Sequence, residues 1–420
     1  MPRRQRWTPV RGTASRIARP AERALVAALD AAGRLVGPLV RRGRHAAPPT
    51  RSRPVRDVLV LRLDRTGDVL MCLPALGDLR AAVPQARIRL AVGHWSEAVA
   101  RRAPVDDVLV WSAPWVGRAP EGSEPLLALA RKARALRAAP PDLALDLQGD
   151  VRAALLLALT GAHRRAGYAN AGGAWLLTDV IPLDETVSWV EQNRRAVAQV
   201  LGRSAGATPP DPLTAADRAF ARALFANLGL PPRRPLVGVH PGGGRPVKQW
   251  GIGRWAEVAA RLQRELGATV LITGSSADRP LPAILAGALP ARAYDLSGRL
   301  SLAETMAVIA RLDLFLSPDT GPMHMACAVG TPSVSVFGPS DPARYFSGGS
   351  GAPGSRHVVV RADLWCAPCN LIRRPPDECA TAEPPECLRL VSVDEVYAAA
   401  ARLLRECGGA GPRPSPVAAP

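Results

Sequence analysis

The chain has 420 residues, 47% of them hydrophobic but only 4% aromatic, so it can bury large cores filled by Ala, Leu and Val, and its length suggests two or three domains. No run of about 20 uncharged apolar residues occurs, so no membrane span is expected. The formal charge is +18, but residues 1–56 carry fourteen Arg against Glu22 and Asp30, which places most of the excess on an appendage and argues against a nucleic-acid-binding body.

Within that appendage, residues 1–18 are rich in Arg, Pro and Ser and are expected to be disordered. Ala21 to Val36 reads as a helix with Leu25, Leu29 and Val36 on one face and Arg23, Asp30 and Arg34 on the other, followed by Arg41, Arg42 and Arg44. Such a stripe suits the surface of an anionic bilayer; it suits a solvated helix or an ill-defined tail equally, because Gly33, Gly37 and Pro38 shorten it. Residues 45–56, with Pro48, Pro49 and Pro54, form a linker. Seven Cys without a secretory signal peptide point to a reducing cytoplasm.

Asp57 to Leu63 is a continuous apolar run and therefore a buried strand, and Arg65-Thr66-Gly67-Asp68 turns into a helix spelled VLMCLPALGDLRAA. Apolar runs at Ile88 to Val92, Val108 to Trp111 and Leu143 to Leu147 then alternate with helical patterns near 94–102, 124–137 and 151–159. This alternation predicts a parallel sheet covered on both faces, whose ligands bind beyond the carboxyl ends of the strands. Asp68 lies at such an end, where an Asp can also simply cap the helix. Arg65, Asp146, Gln148 and Arg152 gather at the same ends and suggest a hydroxyl-rich or anionic substrate.

Between 201 and 235 the chain turns rich in Ala, Gly and Pro, with one helical piece at 215–228, and this marks a domain boundary. Leu236 to Val239 begins a second alternation, followed by HPGGGRPVKQW, whose glycines let the backbone approach a ligand and whose Lys248 brings a charge to it. The spacing is not that of a Walker A loop. The alternation continues with a helix at 252–266, a strand at 269–273, a turn at Gly274-Ser275-Ser276, a helix at 279–288 and a capping box from Ser301 to Glu304. It then reaches SPDTGPMHMACAVGTPSVSVFGPSD, a strand, turn, helix and strand. The turn offers backbone N–H groups at a helix start together with Asp319, Thr320, Gly321 and His324, which fits a phosphate; Asp319 or Thr320 could also merely cap that helix. Two such halves joined by a linker imply a cleft where two substrates meet.

Cys366, Cys369, Cys379 and Cys387 lie in a Pro-rich loop before a C-terminal helix at 393–404, and their spacing is compatible with a structural zinc, with disulfides or with free thiols packed as small hydrophobes.

The ordered signatures VLRLDRTGDVLMCLPAL, DLQGDVRAAL, HPGGGRPVKQW and LSPDTGPMHMACAVGTPSVSVFGPSDP resemble glycosyltransferase family 9, which contains the lipopolysaccharide heptosyltransferases. The resemblance covers 57 to about 400. It implies an α/β fold of GT-B type, with two doubly wound Rossmann-like domains, here 57–205 and 235–392, and a C-terminal helix at 393–407 crossing back onto the first domain; by composition 206–234 is the linker and 408–420 a disordered tail. It implies an inverting, metal-independent transfer from a nucleotide-sugar donor, ADP-heptose by default, to a glycolipid or other cell-envelope acceptor, in the cytoplasm or on the inner face of its membrane.

By that resemblance Asp68 is the base, Lys248 contacts the donor phosphates or sugar, and Asp319, Thr320, Gly321 and His324 hold the diphosphate. Leu300 marks where the nucleotide base packs; Ser276, or less directly Asp278, is the candidate for the ribose, and Gly243 and Gly244 replace hydroxyl residues found in some relatives, leaving backbone N–H groups for the phosphates. No D-x-D occurs, so no catalytic cofactor is expected. The alternatives are another GT-B enzyme such as a nucleotide-sugar epimerase, or a non-catalytic basic-tailed membrane- or nucleic-acid-binding protein.

Overall fold

The computed structural model describes residues 54–407, less 117–120, 204–205, 231–234, 349–354, 373–374 and 383, together with 28, 31 and 33. Otherwise the basic extension, its expected helix at 21–36 and the tail at 408–420 lie outside the described residues. The chain divides into two compact units: one reaches to Glu185 and takes in Val190–Pro209, and the other comprises Thr186–Trp189 and the chain from Pro210 onward.

The first unit is built on a six-stranded sheet of β1 (Asp57–Arg62), β2 (Arg87–Val92), β3 (Asp107–Val110), β4 (Leu143–Asp146), β5 (Arg164–Tyr168) and β6 (Asp179–Ile181), in the order β3-β2-β1-β4-β5-β6. Every pairing is parallel, and β1 is buried from Val58 to Arg62, as the apolar run requires of a strand covered on both faces. The helix expected after β1 is two helices, α1 (Thr66–Leu70) and α2 (Leu73–Ala82). Pro74 explains the break: it has no N–H to continue a helix from the preceding turn, yet is well suited to the first turn of a new one. The remaining main helices are α3 (Leu126–Ala135), α4 (Val151–Leu159) and α5 (Trp189–Leu201). Leu59, Leu61, Ala144, Leu156, Leu157 and Leu129 belong to one core, which joins the middle strands to α3 and α4.

The second unit repeats the plan. Strands β7 (Leu236–Val239), β8 (Thr269–Ile272), β9 (Ala293–Asp295), β10 (Leu314–Pro318), β11 (Ser333–Val336) and β12 (His357–Val360) lie in the order β12-β11-β10-β7-β8-β9, again all parallel. Its helices include α6 (Ala215–Asn227), α7 (Ile252–Leu266), α8 (Leu281–Gly287), α9 (Leu302–Ile309), α10 (Gly321–Ala328) and α11 (Val393–Cys407). The helical piece expected in the linker is α6, started by a Thr214–Asp217 capping box, with Phe225 beneath the Arg311 guanidinium at 5.2 Å. The C-terminal helix, expected to cross onto the first domain, instead belongs to the second unit. The reason is its apolar face: Val396, Ala400, Leu403 and Leu404 share a core with Trp255, Val258 and Leu262 of α7, and Arg261 pairs with Asp394 at 2.6 Å.

Both strand orders reverse between the first and fourth strands of their unit, β1/β4 and β7/β10. A doubly wound sheet opens a crevice at that point, beyond the carboxyl ends of the strands.

Candidate active site

The switch point of the first unit holds a carboxylate fixed by a buried cation. Arg62 ends β1 with only 2% of its surface exposed; its Nε lies 2.9 Å from Asp64 Oδ1, its Nη2 donates to Asp68 Oδ1 at 3.3 Å, and its Nη1 donates to the Leu147 carbonyl at the end of β4. Burial opposes the charge on Arg62, but Asp64, Cys72, Asp68 and Tyr168 together hold its guanidinium above the ordinary range. Asp68 sits in the first turn of α1, where the Arg65 backbone N–H donates to its Oδ2 at 3.2 Å. Its carboxylate therefore has a donor on each oxygen while its side chain stays 27% exposed. The turn is pinned by Thr66, whose Oγ1 donates to the Trp95 carbonyl at 3.1 Å. The expected capping role of Asp68 and its open carboxylate edge coexist, since one oxygen serves the helix and the other the guanidinium.

Asp146 behaves differently from what its strand-end position suggests. It is fully buried, its oxygens accept from the Gln148 and Gly149 N–H groups at 2.8 and 3.0 Å, and burial pushes its pKa up to about 7. It shapes the β4–α4 turn, with Gly149 at φ +79° packed so closely on Asn170 and Tyr168 that a side chain there would collide. Arg152 clasps Asp150 through Nε (2.8 Å) and Nη2 (2.6 Å) and lies over Trp115 at 4.8 Å. Gln148 is half-buried and Arg65 is exposed beside Asp68.

The switch point of the second unit is cationic. Lys248 ends a short helical turn after the glycine loop, and its Nζ lies 2.5 Å from Asp319 Oδ2 and donates to the Asp319 carbonyl at 3.4 Å. Two residues on, Trp250 is fully buried, donates to the Val391 carbonyl at 3.1 Å and packs edge-on against Trp255. The K-x-W spacing thus turns an indole into the core and leaves the ammonium at the strand ends. Asp319 is 6% exposed and spends its carboxylate on Lys248, not on the helix.

The helix α10 consequently starts without a side-chain cap: Thr320 is the cap residue, but its hydroxyl donates back to the Pro318 carbonyl at 3.3 Å. Capping was one sequence reading of this corner, and neither side chain performs it. Uncapped N–H groups and the positive end of the helix dipole suit an anion. A Cβ added at Gly243 would lie 3.5 Å from Thr320 Cγ2, and one at Gly242 only 2.3 Å from Asp278 Oδ1, so the glycine loop runs between the D-T-G corner and the turn after β8. Gly244 is exposed, a Cβ added at Gly298 would lie 3.6 Å from the Ser276 backbone, and Leu300 is half-buried at the start of the α9 approach. His324, in the first turn of α10, shares a hydrogen bond of 2.9 Å between Nδ1 and Ser347 Oγ.

Three site-shaping residues had no role in the sequence reading. Arg62 is one; its signal was a charged residue inside an otherwise apolar strand. His240, at the end of β7, is another: it is buried, with Nδ1 3.2 Å from Thr273 Oγ1, and burial pushes its pKa down to about 4, so it adds no charge to that loop near neutral pH. The third, Thr273, carried no sequence signal.

All seven cysteines are free thiols, burial raises Cys366, Cys379 and Cys387, the last to about 11, and neighbouring cysteines raise them further. Among the described residues, no group of three or more His, Cys, Asp or Glu side chains is placed to hold a metal ion, and the zinc expected on Cys366, Cys369, Cys379 and Cys387 is not shown. Also among them, no helix is long and apolar enough to cross a membrane.

The sequence profile described as glycosyltransferase family 9 (heptosyltransferase) matches residues 129–377. Lipopolysaccharide heptosyltransferase 1 of Pseudomonas aeruginosa is 30% identical over 324 residues, which cover 74% of this chain and 85% of that protein. Among solved structures, a glycosyl transferase family 9 protein from Veillonella parvula aligns with a TM-score of 0.71 at 23% identity, over 84% of this chain and 98% of its own. The Escherichia coli ADP-heptose lipopolysaccharide heptosyltransferase II aligns with a TM-score of 0.64 at 22% identity, over 83% and 99%. The structural likenesses bear on fold, and the sequence matches bear on descent. The chain belongs to glycosyltransferase family 9, the heptosyltransferase family, and is a glycosyltransferase made of two Rossmann-like domains of the GT-B class.

Proposed function

We propose that this enzyme transfers heptose from ADP-heptose to a lipopolysaccharide-core acceptor, with inversion at the anomeric carbon, on the cytoplasmic side of the inner membrane. The observation that carries the reading is the Lys248–Asp319 pair beside an uncapped helix start and the Gly243 backbone. An ammonium has three donors; Asp319 engages part of that set and the rest remains for phosphate oxygens. Asp319 thus acts through Lys248, because a carboxylate placed directly on a diphosphate would repel it. Thr320, Gly321, His324, Gly243 and Gly244 supply the remaining donor-side contacts, with Ser276 and Leu300 toward the nucleoside.

In the reaction the acceptor oxygen attacks the anomeric carbon while the bond from that carbon to the phosphate oxygen breaks, its electron pair leaving with ADP. The acceptor proton passes to Asp68. A positioned base contributes about 10²–10⁴ in rate, and preorganised donors on the departing diphosphate act on charge that develops only in the transition state. Arg65 and Arg152, with Gln148, provide cationic and polar groups for an anionic core acceptor. The heptose and lipopolysaccharide assignments rest on the relative from Pseudomonas aeruginosa, and ADP on the fold relative from Escherichia coli. No metal is assigned a step, and turnover in EDTA is expected to match that without it.

The test is to incubate the protein with ADP-heptose labelled in the sugar and with heptose-free lipopolysaccharide core, alongside labelled UDP- and GDP-sugars. Label should enter the core from ADP-heptose alone. Label that stays on the nucleotide while the sugar changes configuration would favour an epimerase, and label entering the core from UDP- or GDP-sugars would overturn the donor.

A further inference from the structure

We propose that Arg62 is a positioning residue for the transfer: it fixes the direction in which Asp68 presents its carboxylate to the acceptor hydroxyl. This rests on the reading of Asp68 as proton acceptor. The guanidinium is buried at the end of β1 and its nitrogens reach three separate partners, the Asp64 carboxylate, the Asp68 carboxylate and the Leu147 carbonyl. Leu147 follows β4, so the side chain spans the switch point and ties the Asp68 turn to the neighbouring strand. A planar fork with five donors can serve three directions at once, whereas a lysine ammonium on a flexible stem cannot hold the same set.

Charge balance alone does not require the reach to Asp68. Asp64, at 2.9 Å, already neutralises Arg62, and the contact to Asp68 Oδ1 adds orientation. With Oδ2 held by the Arg65 N–H, both ends of the Asp68 carboxylate are fixed and its plane is set, while the partly exposed edge remains available to a proton. A misplacement of about 1 Å in a reacting group can cost about 10²-fold in rate. The expected signature is therefore a loss in kcat without a loss of donor binding.

The experiment is a double-mutant cycle of wild type, Arg62→Lys, Asp68→Asn and the combined variant, assayed with ADP-heptose and heptose-free core, with kcat referred to the folded fraction measured by circular dichroism. Arg62→Lys should lower kcat by about 10- to 100-fold and leave the KM for ADP-heptose within about twofold. In the Asp68→Asn background the same substitution should change kcat by less than about twofold, because residues acting as a unit are not additive. Should Arg62→Lys fail to fold, Arg62→Gln takes its place in the cycle. Equal losses in both backgrounds, or wild-type kcat in the single variant, would overturn the positioning role. Wild-type turnover by Asp68→Asn would instead overturn the base assignment on which it rests.

Discussion

The two sheets share one strand order, yet the place where that order reverses is chemically opposite in each. At β1/β4 the cation is inside: Arg62 is spent on Asp64, Asp68 and a carbonyl, and what reaches the surface is one edge of a carboxylate. At β7/β10 the carboxylate is inside: Asp319 is nearly buried, and what reaches the surface is an ammonium and the start of a helix. Each charge presented to a ligand is held by an opposite charge behind it. Under the proposed function, the same backbone makes a proton-accepting site in one unit and an anion-accepting site in the other, with function residing in a few side chains and not in the topology.

The comparison is most easily broken at its acidic side. Asp68→Asn should cut turnover by about 10³-fold, within the range of a positioned general base, as read by single-turnover transfer to heptose-free core. Lys248→Ala should cut kcat/KM by about 10²-fold and remove most of the thermal shift that ADP gives the wild type, since the ligand stabilises only through a state that binds it. If instead Lys248→Ala spared ADP binding and lost only turnover, the division of labour between the two switch points would need to be redrawn.

A smaller effect sharpens the contrast between exposed and buried carboxylates. The pKa of Asp146 is raised to about 7 in the fold, against an ordinary value of 3.8. A group whose folded pKa is raised contributes its stability in full below the unfolded value and loses it as pH rises through the folded one. Wild-type Tm should therefore carry a decline between about pH 4 and 7 that is reduced in Asp146→Asn, as followed by calorimetry across that range. An unchanged pH profile in the variant would mean that Asp146 is not the group titrating. The smallest expected effect is at Gly243: an added Cβ meets its nearest neighbour at 3.5 Å, an ordinary contact, so Gly243→Ala should shift Tm little and ADP affinity only a few-fold. Gly242→Ala, by contrast, would press on Asp278 at 2.3 Å and should lower Tm clearly.

The second unit's site was the more legible in sequence because its parts are contiguous: three glycines, a lysine two residues before a tryptophan, and a D-T-G corner ahead of a helix each declare a local geometry. In the first unit the sequence singled out Asp68, Arg65, Asp146, Gln148 and Arg152, but not Arg62. Arg62 was hidden because one charge in an apolar strand does not change the strand reading, and its partners become neighbours only when β4 docks beside β1. Asp146 looked available because it ends a strand, but two turn N–H groups draw it inward. The break between α1 and α2 was readable from Pro74, whereas the docking of α11 depends on which core its apolar face finds. The cysteine spacing suggested a zinc that the described residues do not show.

The central claim, that donor binding and proton transfer are held at separate switch points, is tested most directly by titrating ADP into Asp68→Asn and Lys248→Ala in a calorimeter and measuring transfer by the same preparations. The account predicts wild-type ADP affinity with transfer lost in Asp68→Asn, and weakened affinity in Lys248→Ala. Loss of ADP affinity in Asp68→Asn, or undiminished transfer by it, would contradict the account.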